Sequence, residues 1–129
     1  MLKVPDVVEK LVELATRHEK RAIIREACWC LSNITAGNPQ QLQMIIRNNE
    51  QIIDLMKLSK HSQSEVVKEV LLIFSNAAKK ASPTQMTALC ECNLIDFFLR
   101  YLSHDDAQNI KIALDGIQNV LNMGASIAQ

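Results

Sequence analysis

The sequence predicts an all-α solenoid, and three observations support that prediction. A nine-residue pattern runs from Arg25 to Asn33 and returns twice, with its final asparagine at Asn76 and Asn119, each 43 residues after the last. An N-cap residue followed by proline begins a new helix after each of the first two copies. The chain is 48% hydrophobic but only 4% aromatic, which suits closely packed helices better than a sheet sandwich.

A repeat of 43 residues lies in the range of HEAT and armadillo units, whose helices bury their apolar sides only by stacking on neighbouring units. The predicted helices follow the order short, short, long, as in the three-helix armadillo unit. We therefore expect one domain over residues 1–129 with about two and two-thirds repeats. It divides into a partial repeat over 1–37, a repeat over 38–80 and a repeat over 81–124.

The partial first unit is expected to hold two helices. The first runs from about Pro5 to Ala15, and its proline suits a first helical turn. Residues 16–21 form a charged connection to a long helix from about Ala22 to Ala36. Gly37 then ends this helix, because glycine is common just past a helix C-terminus.

The second and third units begin at Asn38 and Ser82, each followed by proline. Ser62 and Glu65 have the spacing of a capping box for the second long helix, after a polar loop over residues 60–64. We expect the remaining helices at about 39–48, 52–58 and 64–80, and at about 86–90, 94–102 and 106–123.

Charge and composition argue against several classes of function. Fourteen basic and fourteen acidic residues leave no net charge, so neither nucleic-acid binding nor a basic membrane surface is indicated. No apolar run approaches the ~20 residues of a membrane span, and the N-terminal residues do not resemble a secretory signal. The sequence has no glycine-rich phosphate loop and no recognisable catalytic arrangement. We expect a non-enzymatic intracellular protein without a cofactor.

Four cysteines form two C-x-C pairs, and three histidines recur at 43-residue intervals before the long helices. Residues i and i+2 point to different sides of a helix, so buried, reduced thiols are expected rather than a metal site. Histidines in successive units would lie ~8 to 10 Å apart, too far to share one zinc ion, so they are expected to be solvated loop residues. These residues are Cys28, Cys30, Cys90 and Cys92, and His18, His61 and His104.

One helical stripe of the first copy is polar and aromatic. Glu26, Trp29 and Asn33 are spaced i, i+3 and i+7, which places them on one face of the helix. The apolar residues around them occupy the circumference that must be buried. The stripe is therefore available to bind something other than the core.

The segments over residues 26–37 and 112–121 resemble the C-terminal armadillo repeats of importin-α, the adaptor that carries nuclear localisation signals. The first segment combines E-A-x-W-x-x-S-N with I-T-A-G, and the resemblance extends over almost the whole chain. It implies a right-handed superhelical solenoid whose Trp and Asn residues line a concave groove for an extended basic peptide. Leu72 and Asp115 stand where the family's later tryptophans would be, so the paired tryptophans of the family are reduced to one.

The groove implied by this resemblance has a sensible chemistry. An asparagine amide offers a donor and an acceptor to a peptide backbone, and an indole face packs the stem of Lys or Arg and attracts its cation. Carboxylates three residues before the Trp positions would receive the charged heads. The expected peptide-binding residues are Glu26, Trp29, Asn33, Glu69, Leu72, Asn76, Asp115 and Asn119.

The expected partners are basic nuclear localisation signals of cargo proteins, in the cytoplasm and nucleus. The basic N-terminal segment that binds importin-β in the family is absent here, and the partial first unit suggests a piece of a longer array. Self-association is expected through exposed apolar residues of the first helix, Val7, Val8, Leu11 and Leu14.

Several alternatives stay open. In the main alternative, the chain is a generic armadillo scaffold that does not select basic ligands. In that case Trp29 would pack against a core or a partner helix, and the glutamates would be solvated surface charges. The three asparagines would then tie neighbouring units together by hydrogen bonds.

Overall fold

The computed structural model describes residues 4–61 and 64–128, and within those ranges it contains eight α-helices and no strand. The three long helices belong to three successive units, and two 3-10 turns, at Ser59–His61 and Tyr101–Ser103, precede the last two of them. The helices are α1 (Val4–Arg17), α2 (Arg21–Thr35), α3 (Pro39–Ile45), α4 (Asn49–Leu58), α5 (Ser64–Lys80), α6 (Pro83–Glu91), α7 (Leu94–Arg100) and α8 (Ala107–Ala128).

The long helices pack in series, α2 against α5 and α5 against α8, while α1 packs on the other side of α2. The shorter helices lie between and behind them, as expected for units that bury their apolar sides by stacking. The prediction of an all-α solenoid with the order short, short, long is confirmed. Within the described ranges no helix is both long enough and apolar enough to cross a lipid bilayer.

The first helix of each complete unit begins at the N-cap residue that the sequence predicted, and a capping box, which was not predicted there, forms at each. Asn38 accepts a hydrogen bond from the backbone N–H of Gln41, and the Gln41 side chain accepts one from the Asn38 N–H. Ser82 and Gln85 repeat this arrangement at the start of α6. The capping box predicted at Ser62 lies outside the described residues.

The end of α3 differs from the prediction. The helix stops at Ile45 rather than near residue 48, because Asn48 adopts an extended backbone and its side chain caps α4 by accepting from the Gln51 N–H at 2.8 Å. The Gln51 amide also donates to the carbonyl of Met44, at 3.2 Å. A second cap thus replaces the last helical turn that the hydrophobic pattern suggested.

Gly37 follows the end of α2 as predicted, but its role is spatial and its φ is not positive. A Cβ at Gly37 would lie 1.9 Å from Oε1 of Gln41, the atom that completes the capping box of α3. Any side chain at this position would therefore push that amide away. Among the described non-glycine residues, only Asn93, between α6 and α7, has a positive φ, of 65°.

The core of the third unit is aromatic. Phe97 lies 5.1 Å from Phe74 and 5.6 Å from Tyr101 between ring centroids, with both pairs edge to face. Phe98 is fully buried, and a Cβ at Gly116 of α8 would come within 2.8 Å of its ring. Glycine at position 116 is thus required for α7 to approach α8.

Hydrogen bonds between units follow the repeat. Among the described residues, side-chain hydrogen bonds between units join residues 37 to 46 positions apart. The Gln85 amide, for example, donates to the Pro39 carbonyl at 3.1 Å and to Oε1 of Gln43 at 2.9 Å. Tyr101 likewise donates to the hydroxyl of Ser59. The stacking is therefore fixed by polar contacts as well as by apolar burial.

The thiols are mostly, but not all, buried. Cys28 and Cys92 are buried and Cys30 is half-buried, whereas Cys90 is exposed, so the expectation of burial is wrong for Cys90. Cys90 lies in the last turn of α6, directly after the buried Leu89. Burial, with a smaller effect of the nearby Glu69 charge, raises the pKa of Cys28 to about 12.

The histidines differ from the expected solvated loop residues. His18 and His104 are half-buried, and Nδ1 of each accepts the backbone N–H two residues later, at 3.0 Å for Lys20 and 3.4 Å for Asp106. They therefore order the turn before a long helix. The side chain of His61 lies outside the described residues. Within the described parts of the chain, no three His, Cys, Asp or Glu side chains are grouped to hold a metal ion.

Candidate functional site

The polar and aromatic stripe lies on the open face of α2. Trp29 is 53% exposed, and Glu26 and Asn33 are exposed beside it along the helix. Cys28 and Leu31 on the other side of α2 are fully buried. Trp29 is thus a surface aromatic in line with Asn33, and the alternative in which it packs in the core is wrong.

A groove of about 470 Å³ opens between α2 and α5 at Trp29. Three of its lining residues were expected at the site, and the other three were not. The signal for two of the latter was present in the repeat, because a basic residue precedes the acidic position in both helices. The lining residues are Glu26, Trp29 and Glu69, as expected, together with Arg25, Lys68 and Glu65.

Arg25 joins the two walls of this groove. Its Nη1 atom lies 3.0 Å from Oε2 of Glu65 on α5, and its Nη2 atom lies 3.5 Å from Oε1 of Glu26 on its own helix. The Arg25 side chain is 46% exposed and that of Glu65 is 74% exposed, so the pair is accessible to solvent. The Arg25 guanidinium therefore occupies the position beside Glu26 and Glu65 where a cation of a ligand would bind.

Glu69 lies deeper in the groove than Glu26. It is half-buried, and its burial raises the pKa of its carboxyl group above the usual value, although the nearby Lys68 and Arg25 charges act in the opposite direction. The Ser32 hydroxyl lies 3.4 Å from Oε2 of Glu69 but only 2.7 Å from the Trp29 carbonyl. Its single proton thus favours the Trp29 carbonyl, and Glu69 is left only weakly hydrogen-bonded.

Two of the three asparagines tie neighbouring units together. Nδ2 of Asn76 donates to the Ser32 carbonyl at 3.0 Å, and Nδ2 of Asn119 donates to the Ser75 carbonyl at 3.4 Å. Asn33 is exposed and makes no side-chain hydrogen bond within the described residues. The alternative that the sequence left open, a structural tie, therefore describes Asn76 and Asn119.

The later tryptophan positions are different in character. Leu72 is half-buried on α5, and Asp115 is exposed on α8, 4.0 Å from Nζ of Lys111. Neither residue lines the groove at Trp29, and the same is true of Asn33, Asn76 and Asn119. The structure thus gathers Glu26, Trp29 and Glu69 at one opening, and it distributes the other expected residues along the long helices.

Comparison with known proteins identifies proteins that are similar to this chain. Residues 1–36 match the model of the armadillo/beta-catenin-like repeat. Importin subunit alpha-5 of Arabidopsis thaliana is 37% identical over 109 residues, which cover 84% of this chain and 21% of that protein. Importin subunit alpha-4 of the same plant is 31% identical over 111 residues, 86% of this chain and 20% of that protein. The chain thus spans about a fifth of these relatives.

Solved structures agree with this assignment. An engineered protein superposes with a TM-score of 0.81 at 25% identity, covering 90% of this chain and 46% of its own. A designed armadillo repeat protein in complex with the peptide (KR)4 superposes with a TM-score of 0.76 at 26% identity, covering 92% of this chain and 53% of its own. The repeat pattern, the stacking of the long helices and these matches show that the chain is an armadillo-repeat solenoid similar in sequence to plant importin alpha subunits.

Proposed function

We propose that the chain binds extended basic peptides along the face shared by α2, α5 and α8. The observation that carries the proposal is the exposure of Trp29, at 53%, directly beside the carboxylates of Glu26 and Glu69. An indole left in water next to acidic groups is a shelf for the aliphatic stem and the cation of Lys or Arg. The exposed amide of Asn33 would hold the peptide backbone one helical turn away.

The other expected residues would extend this site. Leu72 offers an apolar contact without the quadrupole of an indole, and Asp115 offers negative charge on α8. Asn76 and Asn119 each use one N–H of the amide to hold the preceding unit, and would accept from a peptide N–H through Oδ1. Rungs ~8 to 10 Å apart match about every third residue of an extended chain, which rises ~3.3 Å per residue.

The biological role we infer is that of an importin-α-like adaptor segment. Two relatives are named importin subunit alpha, and a neighbour of similar fold was solved with the alternating basic peptide (KR)4. The ligands would be nuclear localisation signals of cargo proteins, and the chain would act in nuclear import between the cytoplasm and the nucleus. No catalytic step is part of this proposal.

A second candidate is a general armadillo scaffold without preference for basic ligands. Leu72 and Asp115 favour it, because they replace the aromatic shelves that would select a Lys or Arg stem in the next two units. The two candidates differ in the charge of the peptide they accept. Charge dependence is therefore the property to measure.

The test is titration of a Lys-rich peptide, its scrambled form and a charge-reversed form, followed by Trp29 fluorescence and by calorimetry. We expect binding of the basic peptides only. Trp29→Ala should weaken binding several-fold, since the shelf contributes about 1 kcal/mol, and Leu72→Trp should strengthen it. Ile53→Ala, at an exposed apolar residue of α4 away from the groove, should change nothing. Equal binding of the acidic peptide would reject a preference for basic ligands and would favour the general scaffold.

We also propose that copies of this chain associate through the outward face of α8. Leu114 and Leu121 are 52% and 58% exposed on this helix. Apolar residues exposed at the same helical face favour contact with another apolar surface. Of the residues named from the sequence for this role, Val7 is 43% exposed but Val8 is buried at 1%, because α1 packs on α2 and turns Val8 inward.

A further inference from the structure

We propose that Arg25 is a specificity-determining residue of the groove, an internal counter-ion that a basic ligand residue must displace from Glu26 and Glu65. The inference rests on the proposed binding of basic peptides and adds a residue to it. Arg25 occupies the same opening as Trp29 and spans α2 and α5 through its two Nη atoms, at 3.5 Å from Glu26 and 3.0 Å from Glu65.

The charges lining the groove show why Arg25 matters. Three carboxylates, those of Glu26, Glu65 and Glu69, face two cations, those of Arg25 and Lys68. With Arg25 in place the groove is close to neutral, and a Lys-rich peptide gains little attraction from it.

The position of the bridge makes it a competitor rather than a remote charge. A guanidinium presents a planar fork of donors that matches carboxylate oxygens, and Arg25 uses two of its nitrogens on two acids. A ligand cation above Trp29 would seek the same oxygens. It would therefore compete with Arg25 for them.

The bridge is also open to exchange. The side chains of Arg25 and Glu65 are 46% and 74% exposed, so the pair is a surface ion pair with little stability of its own. Removing it should leave the stacking of α2 on α5 intact, because Cys28, Leu31 and Leu71 stay fully buried and the Asn76 amide still donates to the Ser32 carbonyl. Displacement by a ligand is therefore feasible without unfolding.

Removing the cation of the bridge and removing one of its carboxylates should have opposite effects on peptide affinity. Arg25→Gln frees both carboxylates and should tighten the Lys-rich peptide about two- to fivefold at low salt. Glu65→Gln removes an acceptor and leaves the Arg25 cation unpaired in the groove, so binding should weaken by a similar factor. A role confined to holding the helices together would move both variants in the same direction.

The experiment measures the dissociation constant of the Lys-rich peptide for the wild-type chain and both variants, at low and high salt. Arg47→Gln is the matched control, because Arg47 lies 3.9 Å from Glu9 in another exposed pair between helices and its loss changes the net charge equally. Arg25→Lys keeps the charge but loses the fork, and its affinity should fall between wild type and Arg25→Gln. Differences should shrink as salt rises.

The outcomes separate the two proposals. Opposite shifts for Arg25→Gln and Glu65→Gln, with Arg47→Gln unchanged, support the role of Arg25. If wild type binds the peptide and Arg25→Gln binds it equally or more weakly with an unchanged melting temperature, the role of Arg25 is overturned while the proposed function stands. Absence of binding by both wild type and Arg25→Gln rejects both proposals.

Discussion

The same residue type serves different ends at equivalent positions of the repeat. Asn76 and Asn119 donate to serine carbonyls of the preceding unit, whereas Asn33 is exposed and has no such bond within the described residues. Binding and stacking are not exclusive for an asparagine, because its amide has two donors and one acceptor oxygen. The hydrogen bond to the preceding unit fixes the rotamer of the asparagine side chain, so its Oδ1 atom points in a defined direction.

Glu69 gives the proposed site a dependence on pH. Burial raises the pKa of its carboxyl group above the usual value, so on acidification Glu69 gains its proton earlier than an ordinary carboxyl group does. A basic peptide needs the ionised form, so its binding should weaken as pH falls through the raised pKa. Peptide affinity measured in steps of pH from neutral downward should show this loss.

Glu69→Gln is the matched variant for this measurement. It keeps the shape of the side chain but has no titrating group, so its affinity should be lower at neutral pH and should stay flat where the wild type declines. A decline of equal size in both proteins would assign the pH dependence to another group. Affinity falls on acidification because the ligand's cation favours the ionised form of the Glu69 carboxyl group.

The residues of the proposed peptide-binding site could be predicted only in part. Glu26, Trp29 and Asn33 follow from spacing on one helix, and the structure places all three on the open face of α2. The bridge from Arg25 to Glu65 spans 40 positions between two helices. It depends on how far α5 is shifted along α2, and a repeat length does not specify that shift.

At the scale of the element, local signals predicted where helices begin better than where they end. The N-caps at Asn38 and Ser82 are formed within four residues of sequence, so their pattern is visible there. The end of α3 was misplaced because Asn48 caps the next helix instead of continuing the first. Two structures were locally possible, and the side chain of Gln51, which donates to the Met44 carbonyl, favours the cap.

Gln85 combines a cap with a contact between units, and Gln41 provides a cap alone. Both accept from the N-cap N–H, but the Gln85 amide also donates to the Pro39 carbonyl and to Gln43. Gln85→Ala should therefore lower the free energy of unfolding by about 1–3 kcal/mol, because two hydrogen bonds to the preceding unit are lost together with the cap. Gln41→Ala should lower it by about 0.5–1 kcal/mol.

Urea unfolding of the two variants is the measurement. Gln41→Ala is the control, since it removes the same cap bond at a more exposed site of the preceding unit. Equal losses for the two substitutions would mean that the bonds to Pro39 and Gln43 contribute nothing to stacking.

At the scale of the whole molecule, the repeat shows which exposed apolar residues occupy positions that are buried by stacking in the preceding unit. The most exposed leucines of the third unit each stand 43 residues after a buried residue of the second unit. The pairs are Leu99 (48% exposed) with Met56 (7%), Leu114 (52%) with Leu71 (0%), and Leu121 (58%) with Ala78 (2%). The outward face of α7 and α8 thus has the composition of an interface between units.

We expect this face to promote association of copies at high concentration, because covering half-exposed leucines returns ~25 cal/mol for each Å² of apolar surface removed from water. A double variant, Leu114→Glu with Leu121→Glu, should sediment as a smaller species than the wild type at the same concentration. Its melting temperature should change little, since neither side chain belongs to the buried core.

The control is Ile53→Glu on α4. Ile53 is 37% exposed, but the equivalent positions of the other units hold exposed residues, Lys10 and Asp96. If wild type and double variant sediment identically across the concentration range, the face does not mediate association, and its apolar character must be explained by contact with another armadillo unit or partner.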